Sequence, residues 1–89
     1  MGFHDTFQAL GHPVRRGIIE QLKTGKKTAG EIAAGFVLTG ATVSHHLSQL
    51  KNAGLIAEER QGRFIYYELN ASVFEELLSW VLQIRGDKK

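Results

Sequence analysis

The chain contains no cysteine, only one proline and no long apolar run. Without cysteine it cannot form a disulfide framework, a thiol redox switch or a thiolate metal site. No apolar stretch approaches the roughly 18 residues that a membrane-spanning helix needs. The N-terminus also lacks the basic region followed by an apolar region that marks a secretory signal. These absences predict a cytoplasmic protein that does not insert into a membrane.

The length of the chain limits it to one small domain, which we expect to cover residues 1–89. A domain of this size buries only about 60–65% of the surface that its unfolded chain exposes. Association through an apolar face would therefore add stability. The formal net charge of +2 is only mildly basic, so net charge alone does not indicate nucleic-acid binding.

Residues 38–50 (LTGATVSHHLSQL) are the most informative segment because they contain no acidic side chain. Val43, Leu47 and Leu50 recur at helical spacing and predict a single apolar stripe. The other flanks carry slim polar side chains, which can exchange hydrogen bonds with bases in a DNA major groove without repelling phosphate. We predict a recognition helix whose base-reading residues are Gly40, Ala41, Thr42, Ser44, His45, Ser48 and Gln49.

Two predicted helix starts separated by a tight turn indicate a helix-turn-helix. Thr28 and Glu31 have capping-box spacing, so a short helix should begin at Thr28 and end near Gly35. Residues 36–38 then turn the chain, and Thr39 is the next N-cap. Two short helices joined in this way form the DNA-binding motif.

A β-hairpin is predicted after the recognition helix, over residues 55–60 and 63–69. The second segment is rich in β-branched and aromatic residues, and Gln61-Gly62 supplies the glycine of a two-residue loop. The predicted fold class is mainly α with a small β-hairpin (α+β). Its element order is α-α-α-α-β-β-α, that of a winged helix-turn-helix.

Basic side chains bracket the predicted recognition helix and wing. Each one alone is equally well explained as a solvated charge near a helix end. As a group they favour contacts with DNA phosphates, because most acidic residues are expected elsewhere, as on the last helix. The predicted phosphate-contacting and wing residues are Lys26, Lys27, Thr28, Thr39, Lys51, Arg60, Gln61 and Arg63.

The two terminal helices, predicted over about 3–11 and 70–85, carry more apolar surface than one small domain can cover. The last helix should follow Asn70 as N-cap and stop at Gly86. Its apolar residues cover roughly 200° of its circumference. This breadth predicts dimerisation through both terminal helices, with interface residues Phe3, Phe7, Leu10, Leu77, Trp80, Val81 and Ile84.

Four segments in order resemble the ArsR/SmtB-type winged-helix repressors: residues 9–16 (ALGHPVRR), 43–50 (VSHHLSQL), 53–56 (AGLI) and 62–69 (GRFIYYEL). Each segment is a weak signal alone, but together they extend the resemblance over about residues 3–84. The resemblance implies a homodimer with its first and last helices at the interface. It also implies that this dimer occupies an operator and blocks transcription until an effector releases it.

The resemblance further implies which positions face the bases, namely Gly40, Ala41, Ser44 and His45. Gly40 stands where a longer polar residue is common in the family. One possible base contact is therefore missing, and Ser44 and His45 become the principal expected readers.

The sequence departs from the metal-sensing patterns of this family. The thiolate sensor needs cysteine where this chain has residues 31–34 (EIAA), and the last helix has no histidine beside Glu75 and Glu76. His45 and His46 are adjacent and diverge by about 100°, which makes a poor chelate. His46 is instead expected to pack at the edge of the core. We expect no metal and no cofactor, and the resemblance points to the metal-independent, autorepressor-like branch.

One alternative within the family stays open, a metal- or pH-responsive repressor that uses His4 and His12 across the dimer. Within one chain the two residues lie over 10 Å apart along a helix, too far for chelation. His12 also occupies the N-cap position of the helix opened by Pro13, where the family often has Asp. An unknown effector or protein partner is compatible with either form.

Two other function classes are disfavoured. A protein-interaction module would need an acidic or apolar recognition face, and residues 42–49 are neither. An enzyme would need a nucleophile with its base, a glycine loop that binds phosphate or a carboxylate pair, and none is recognisable. The sequence therefore predicts a non-enzymatic, homodimeric repressor that binds double-stranded DNA at an inverted-repeat operator, its own promoter included.

Overall fold

The computed structural model describes residues 3–86. Within this range the helices and strands follow one another in a single winged helix-turn-helix. They are α1 (His4–Leu10), α2 (Pro13–Leu22), β1 (Lys27–Thr28), α3 (Ala29–Ala33), α4 (Gly40–Asn52), β2 (Ile56–Gln61), β3 (Phe64–Leu69) and α5 (Ala71–Arg85). The predicted fold class is confirmed, with one added strand. The first helix is shorter than the predicted range 3–11, since it covers seven residues.

Side-chain caps fix where both helices of the helix-turn-helix begin. Thr28 and Glu31 form the predicted capping box, each accepting the other's backbone N–H at 3.2 and 2.8 Å. The Thr39 hydroxyl accepts the N–H of Thr42 at 3.1 Å and so opens α4. Both caps satisfy backbone donors that a helix start leaves unpaired.

Asn70 is the N-cap residue of α5 by position, as predicted, but it makes no side-chain cap hydrogen bond. Its amide nitrogen Nδ2 donates instead to the carbonyl of Gly54 at 3.0 Å. The side chain thus ties the start of α5 to the end of α4. Gly86 ends α5 in the left-handed conformation, as predicted.

The hairpin loop lies one residue later than predicted. Gln61 pairs with Phe64, so the two loop residues are Gly62 and Arg63 rather than Gln61 and Gly62. The strands shift accordingly from the predicted 55–60 and 63–69. The register places Gly62 at the first loop position, where its φ of +63° suits glycine.

The added strand β1 makes the sheet three-stranded, in the order β1-β3-β2, with antiparallel pairing throughout. Lys27 pairs with Tyr67 and Thr28 with Tyr66. Two residues are too few to show a period-2 pattern, so no sequence pattern indicates this strand. The strand anchors the start of the helix-turn-helix to the wing.

The core lies beneath α4 and holds it in place. The predicted stripe of Val43, Leu47 and Leu50 is buried, and each such side chain contributes about 1.5–3 kcal/mol by leaving water. The buried apolar residues come from five elements and the loop after α4: Ala9, Ile18, Leu22, Ile32, Val43, Leu47, Leu50, Leu55 and Ile56. The opposite flank of α4 therefore faces outward on a rigid base.

Candidate nucleic-acid interface

The exposed flank of α4 carries every residue that the sequence predicts to read bases. Gly40, Ala41, Thr42, Ser44, His45, Ser48 and Gln49 are all exposed, and α4 contains no Asp or Glu. A Cβ atom at Gly40 would meet nothing within 4 Å, so this position has room for a longer side chain. The flank is a polar surface without negative charge.

The free hydrogen-bonding groups on this flank lie mostly beyond its first turn. The Thr42 hydroxyl accepts from the Thr39 hydroxyl at 2.9 Å, so part of its capacity is used within the cap. Within residues 3–86, no side-chain hydrogen bond engages Ser44, Ser48 or Gln49. These side chains are available to another molecule.

Two of the predicted phosphate-contacting lysines are paired with acidic residues of the wing. Lys26 Nζ lies 3.2 Å from a carboxylate oxygen of Glu59, and Lys51 forms an ion pair with Glu58. The expectation that acidic residues lie away from these lysines was wrong here. The cause is the strand alternation of β2, which sends the two adjacent glutamates to opposite faces, one toward each lysine.

These pairs shift the titration of their members. A hydrogen bond from Gln61, followed by the hydrogen bond and charge of Lys26, lowers the pKa of Glu59 below its ordinary value. A hydrogen bond to Glu58, together with its charge, raises the pKa of Lys51. Both changes favour the charged forms, so the ion pairs persist at neutral pH.

Three other basic side chains have no ion pair within the described residues. Lys27 donates only to the hydroxyl of Thr24, at 3.3 Å. Arg60 and Arg63 are exposed on the wing, and no carboxylate lies within ion-pair distance of either. Among the predicted phosphate-contacting residues, these three carry positive charge that no carboxylate of the described residues neutralises.

Three exposed apolar side chains near the ends of these elements were not predicted as site residues. Val37 is fully exposed and Leu38 is 39% exposed in the turn that precedes Thr39, and Phe64 is 54% exposed at the wing tip. An apolar residue in a tight turn was the available signal for Val37. Phe64 alternates with the partly buried Ile65 along β3, so strand periodicity could have placed it outside.

The predicted dimer surface is partly used within one chain. The rings of Phe3, Phe7 and Trp80 pack together with centroids 5.5–6.1 Å apart, which joins α1 to α5. Val81 and Ile84 are 47% and 66% exposed, while Leu10 and Leu77 are half-buried. Helix α5 has no buried residue, so its apolar face remains open to another surface.

The histidines do not form a metal cluster in the described part of the chain. No group of three or more potential ligands occurs among residues 3–86. His46 is only 7% exposed, which confirms the predicted packing at the core edge. Nδ1 of His12 accepts the backbone N–H of Val14 and so caps α2. A site shared by His4 and His12 across a dimer stays a prediction, with Nε2 as the free atom of His12.

Comparison with known proteins identifies the family to which this chain belongs. The family described as bacterial regulatory protein, arsR family, matches residues 12–58, which include the whole helix-turn-helix. The chain belongs to the ArsR family. This ArsR-family protein is 42% identical over 86 residues to the transcriptional repressor SdpR of Bacillus subtilis, covering 94% of this chain and 96% of that protein.

A second relative is longer than this chain. The HTH-type transcriptional regulator NmtR of Mycobacterium tuberculosis is 37% identical over 73 residues. The match covers 82% of this chain and 61% of NmtR, so this chain spans about three fifths of that regulator.

Solved structures show the same fold. An ArsR family transcriptional regulator superposes with a TM-score of 0.85 at 27% identity, covering 92% of this chain and 90% of its own. The homodimeric winged helix-turn-helix DNA-binding domain of a possible ArsR-family regulator from Mycobacterium bovis superposes with a TM-score of 0.75 at 25% identity, covering 93% and 77%. This protein therefore has the DNA-binding winged helix-turn-helix fold of transcription regulators and is not an enzyme. Across residues 3–86, none of the helices has the length and apolar character to cross a bilayer.

Proposed function

We propose that this ArsR-family protein is a homodimeric, sequence-specific transcriptional repressor that binds an inverted-repeat operator, including one in its own promoter. The observation that carries the proposal is the exposed flank of α4, which is polar, free of acidic residues and held on a rigid core. The similarity to SdpR, a transcriptional repressor, and to a homodimeric DNA-binding domain supports it.

In the proposed complex, α4 lies in the major groove and reads bases. Ser44 and His45 are the principal readers, because they are exposed and lie one turn beyond the start of the helix. Ser48 and Gln49 continue the same surface. Hydroxyl, imidazole and amide groups can each donate to or accept from base edges, which is what sequence reading in the major groove requires.

The wing and the strand before α3 position the protein on the phosphate backbone. Lys27, Arg60 and Arg63 contribute free positive charge. Lys26 and Lys51 contribute only after phosphate displaces Glu59 and Glu58. Such contacts add affinity for any sequence and carry no base preference.

The second copy covers the apolar face of α5 together with the adjoining part of α1. In this arrangement two α4 helices face one side of the DNA, related by a two-fold axis. We propose that the protein acts in the cytoplasm, where its DNA is, and that it needs neither a metal nor a cofactor to bind.

The experiment that tests the proposal is a binding titration against the DNA upstream of the protein's own gene, with and without transition metals. A parallel selection from random duplexes identifies the preferred site independently of the gene's position. We expect an imperfect inverted repeat with half-sites roughly 10–10.5 bp apart, centre to centre. A footprint over a single asymmetric half-site would contradict the dimer, and release of DNA by a metal would favour the metal-responsive alternative.

A further inference from the structure

Arg15 joins the end of α1 to the middle of α4. Its Nε and Nη2 atoms donate to the carbonyls of Ala9 and Gln8, at 2.7 and 3.3 Å, in the last turn of α1. Its Nη1 atom lies 3.3 Å from Nδ1 of His46. Because a guanidinium has no acceptor, Nδ1 of His46 must be the unprotonated acceptor of this hydrogen bond. One side chain thus sets the recognition helix against a terminal helix.

His12 packs against the same histidine. The two rings have centroids 4.4 Å apart, and Nδ1 of His12 accepts the backbone N–H of Val14 at 3.1 Å to cap α2. Both imidazoles therefore use Nδ1 as an acceptor and carry their single proton on Nε2. We refer to these three side chains as the His12–Arg15–His46 cluster.

A second proton can enter the His46 imidazole only at Nδ1, the atom that accepts. Protonation of His46 replaces the hydrogen bond from Arg15 with two donors facing each other. It also places a new positive charge beside Arg15, in a region where burial weakens screening by solvent.

The charged and titratable groups around the cluster do not offset that charge. His45, on α4, has its ring 5.7 Å from that of His46. Asp5, on α1, lines a cleft of about 180 Å³ beside Arg15, but within the described residues it forms no ion pair there. Burial first, and then the charges of His12, Arg15 and His45, lower the pKa of His46.

The lowered pKa of His46 makes the folded state less stable as the pH falls. The unfolded chain binds a proton at His46, near its ordinary pKa of about 6.5, that the folded chain excludes. The contribution of neutral His46 to folding is complete above that pH. It is lost as the pH falls toward the lowered pKa of the folded state.

We propose that His46 is a positioning residue which, held by Arg15 and packed against His12, keeps α4 ready for DNA only while it is neutral, so that mild acid releases the operator. The proposal rests on the proposed function, since it concerns the same recognition helix. It runs against the general electrostatic trend, because protonating histidines near DNA would otherwise strengthen binding to phosphate.

The resemblance to the ArsR family suggests the decisive variants, because Asp is common where this chain has His12. His12→Asn keeps a good N-cap without a titratable ring. His12→Asp also keeps the cap, and its carboxylate can pair with both Arg15 and protonated His46. His4→Gln is the matched control, since it removes an exposed histidine of α1 outside the cluster.

The test measures affinity between pH 7.5 and 5.5 for a duplex selected at pH 7.5 from a random pool. For the unmodified protein we expect affinity to fall as the pH drops below the lowered pKa of His46, with a limiting slope of about tenfold per pH unit, that of one linked proton. His12→Asn removes a ring whose charge lowers the pKa of His46, so the fall should begin at a higher pH; His12→Asp should move it higher still, and His4→Gln should leave it unchanged. A fall that begins at the same pH in His12→Asp as in the unmodified protein, or tighter binding in acid, would overturn the proposal.

A measurement without DNA separates this proposal from the proposed function. Histidine ring signals followed by NMR should show His46 titrating below about 6.5 in the unmodified protein and at a higher pH in His12→Asp. Circular dichroism should show the protein still folded at pH 5.5, because global unfolding there would refute a positioning role. Failure to select any duplex would count against the proposed function alone, since the NMR titration still tests the cluster.

Discussion

Individual side chains of α4 divide into those that hold the helix and those that remain free. Val43, Leu47 and Leu50 are buried, whereas Ser44 and His45 are exposed. Substituting one of these exposed side chains, which we propose to read bases, therefore changes the outer surface of α4 with little effect on its packing. This separation allows base reading to be tested one residue at a time.

Removing a reader should reduce specific binding only. We expect His45→Ala and Ser44→Ala each to cost about 1–3 kcal/mol on the selected duplex for every base that the side chain no longer reads, and little on random DNA. Fluorescence anisotropy on both duplexes measures the difference, with His4→Ala as a control outside α4. Equal losses of affinity on both duplexes would mean that these residues contact the backbone rather than bases.

We expect the glutamates of β2 to lower DNA affinity, because they neutralise Lys26 and Lys51. Glu59→Gln removes the carboxylate beside Lys26, so we expect binding to every sequence to tighten slightly, because an exposed ion pair is weak, and the salt dependence to become steeper. Glu68→Gln is the control, because it removes the same charge from a strand position with no ion pair in the described range. Equal effects would show that only net charge matters.

Among the elements, the wing depends on a tight turn and on pairing with β1. Gly62 opens the hairpin loop at positive φ, and Arg63 follows it at the tip. The pairing of Lys27 with Tyr67 fixes β1 against β3. Lys27 on β1 and Arg63 in the hairpin loop are therefore both positioned by the same sheet.

Loss of these cations should weaken binding to all sequences alike. We expect Arg63→Ala and Lys27→Ala each to flatten the plot of log affinity against log salt by about one unit for every phosphate that the variant no longer neutralises in a half-site. Titrations at four or more salt concentrations measure the slope. Relaxed sequence preference in Arg63→Ala would show instead that the wing reads the minor groove, and an unchanged affinity that it does not touch DNA.

On the scale of the whole molecule, α5 is the element with the most uncovered apolar surface. It has no buried residue, and Val81 and Ile84 remain largely exposed although both are apolar. A single copy leaves this surface in water, at a cost of roughly 25 cal/mol per Å² of apolar area. A second copy is the occupant that we propose.

Breaking this interface should abolish operator binding without unfolding the chain. Val81→Glu would bury an unpaired carboxylate at a cost of several kcal/mol, enough to dissociate a small dimer. Gln83→Glu adds the same charge to the polar strip of α5 and should leave the dimer intact. Sedimentation equilibrium measures the assembly, and an unmodified protein that is monomeric at micromolar concentration would contradict both the interface and the two-fold operator.

The sequence by itself determined the features that depend on neighbours within about four residues. The capping box of Thr28 and Glu31 and the stripe of Val43, Leu47 and Leu50 were both predicted and found. Helix geometry fixes which side chains meet at these spacings. The same local rules placed helix α4 and identified its exposed flank.

Only the tertiary structure decided which residues distant in the chain meet. Lys26 meets Glu59 across 33 positions, and Arg15 meets His46 across 31. The two-residue strand β1 exists because β3 offers it a partner. Such pairs depend on how the elements pack around the core, and no spacing in the sequence encodes that packing. For this reason the sequence could predict the exposed polar flank of α4 but not the neutralised lysines or the histidine cluster behind it.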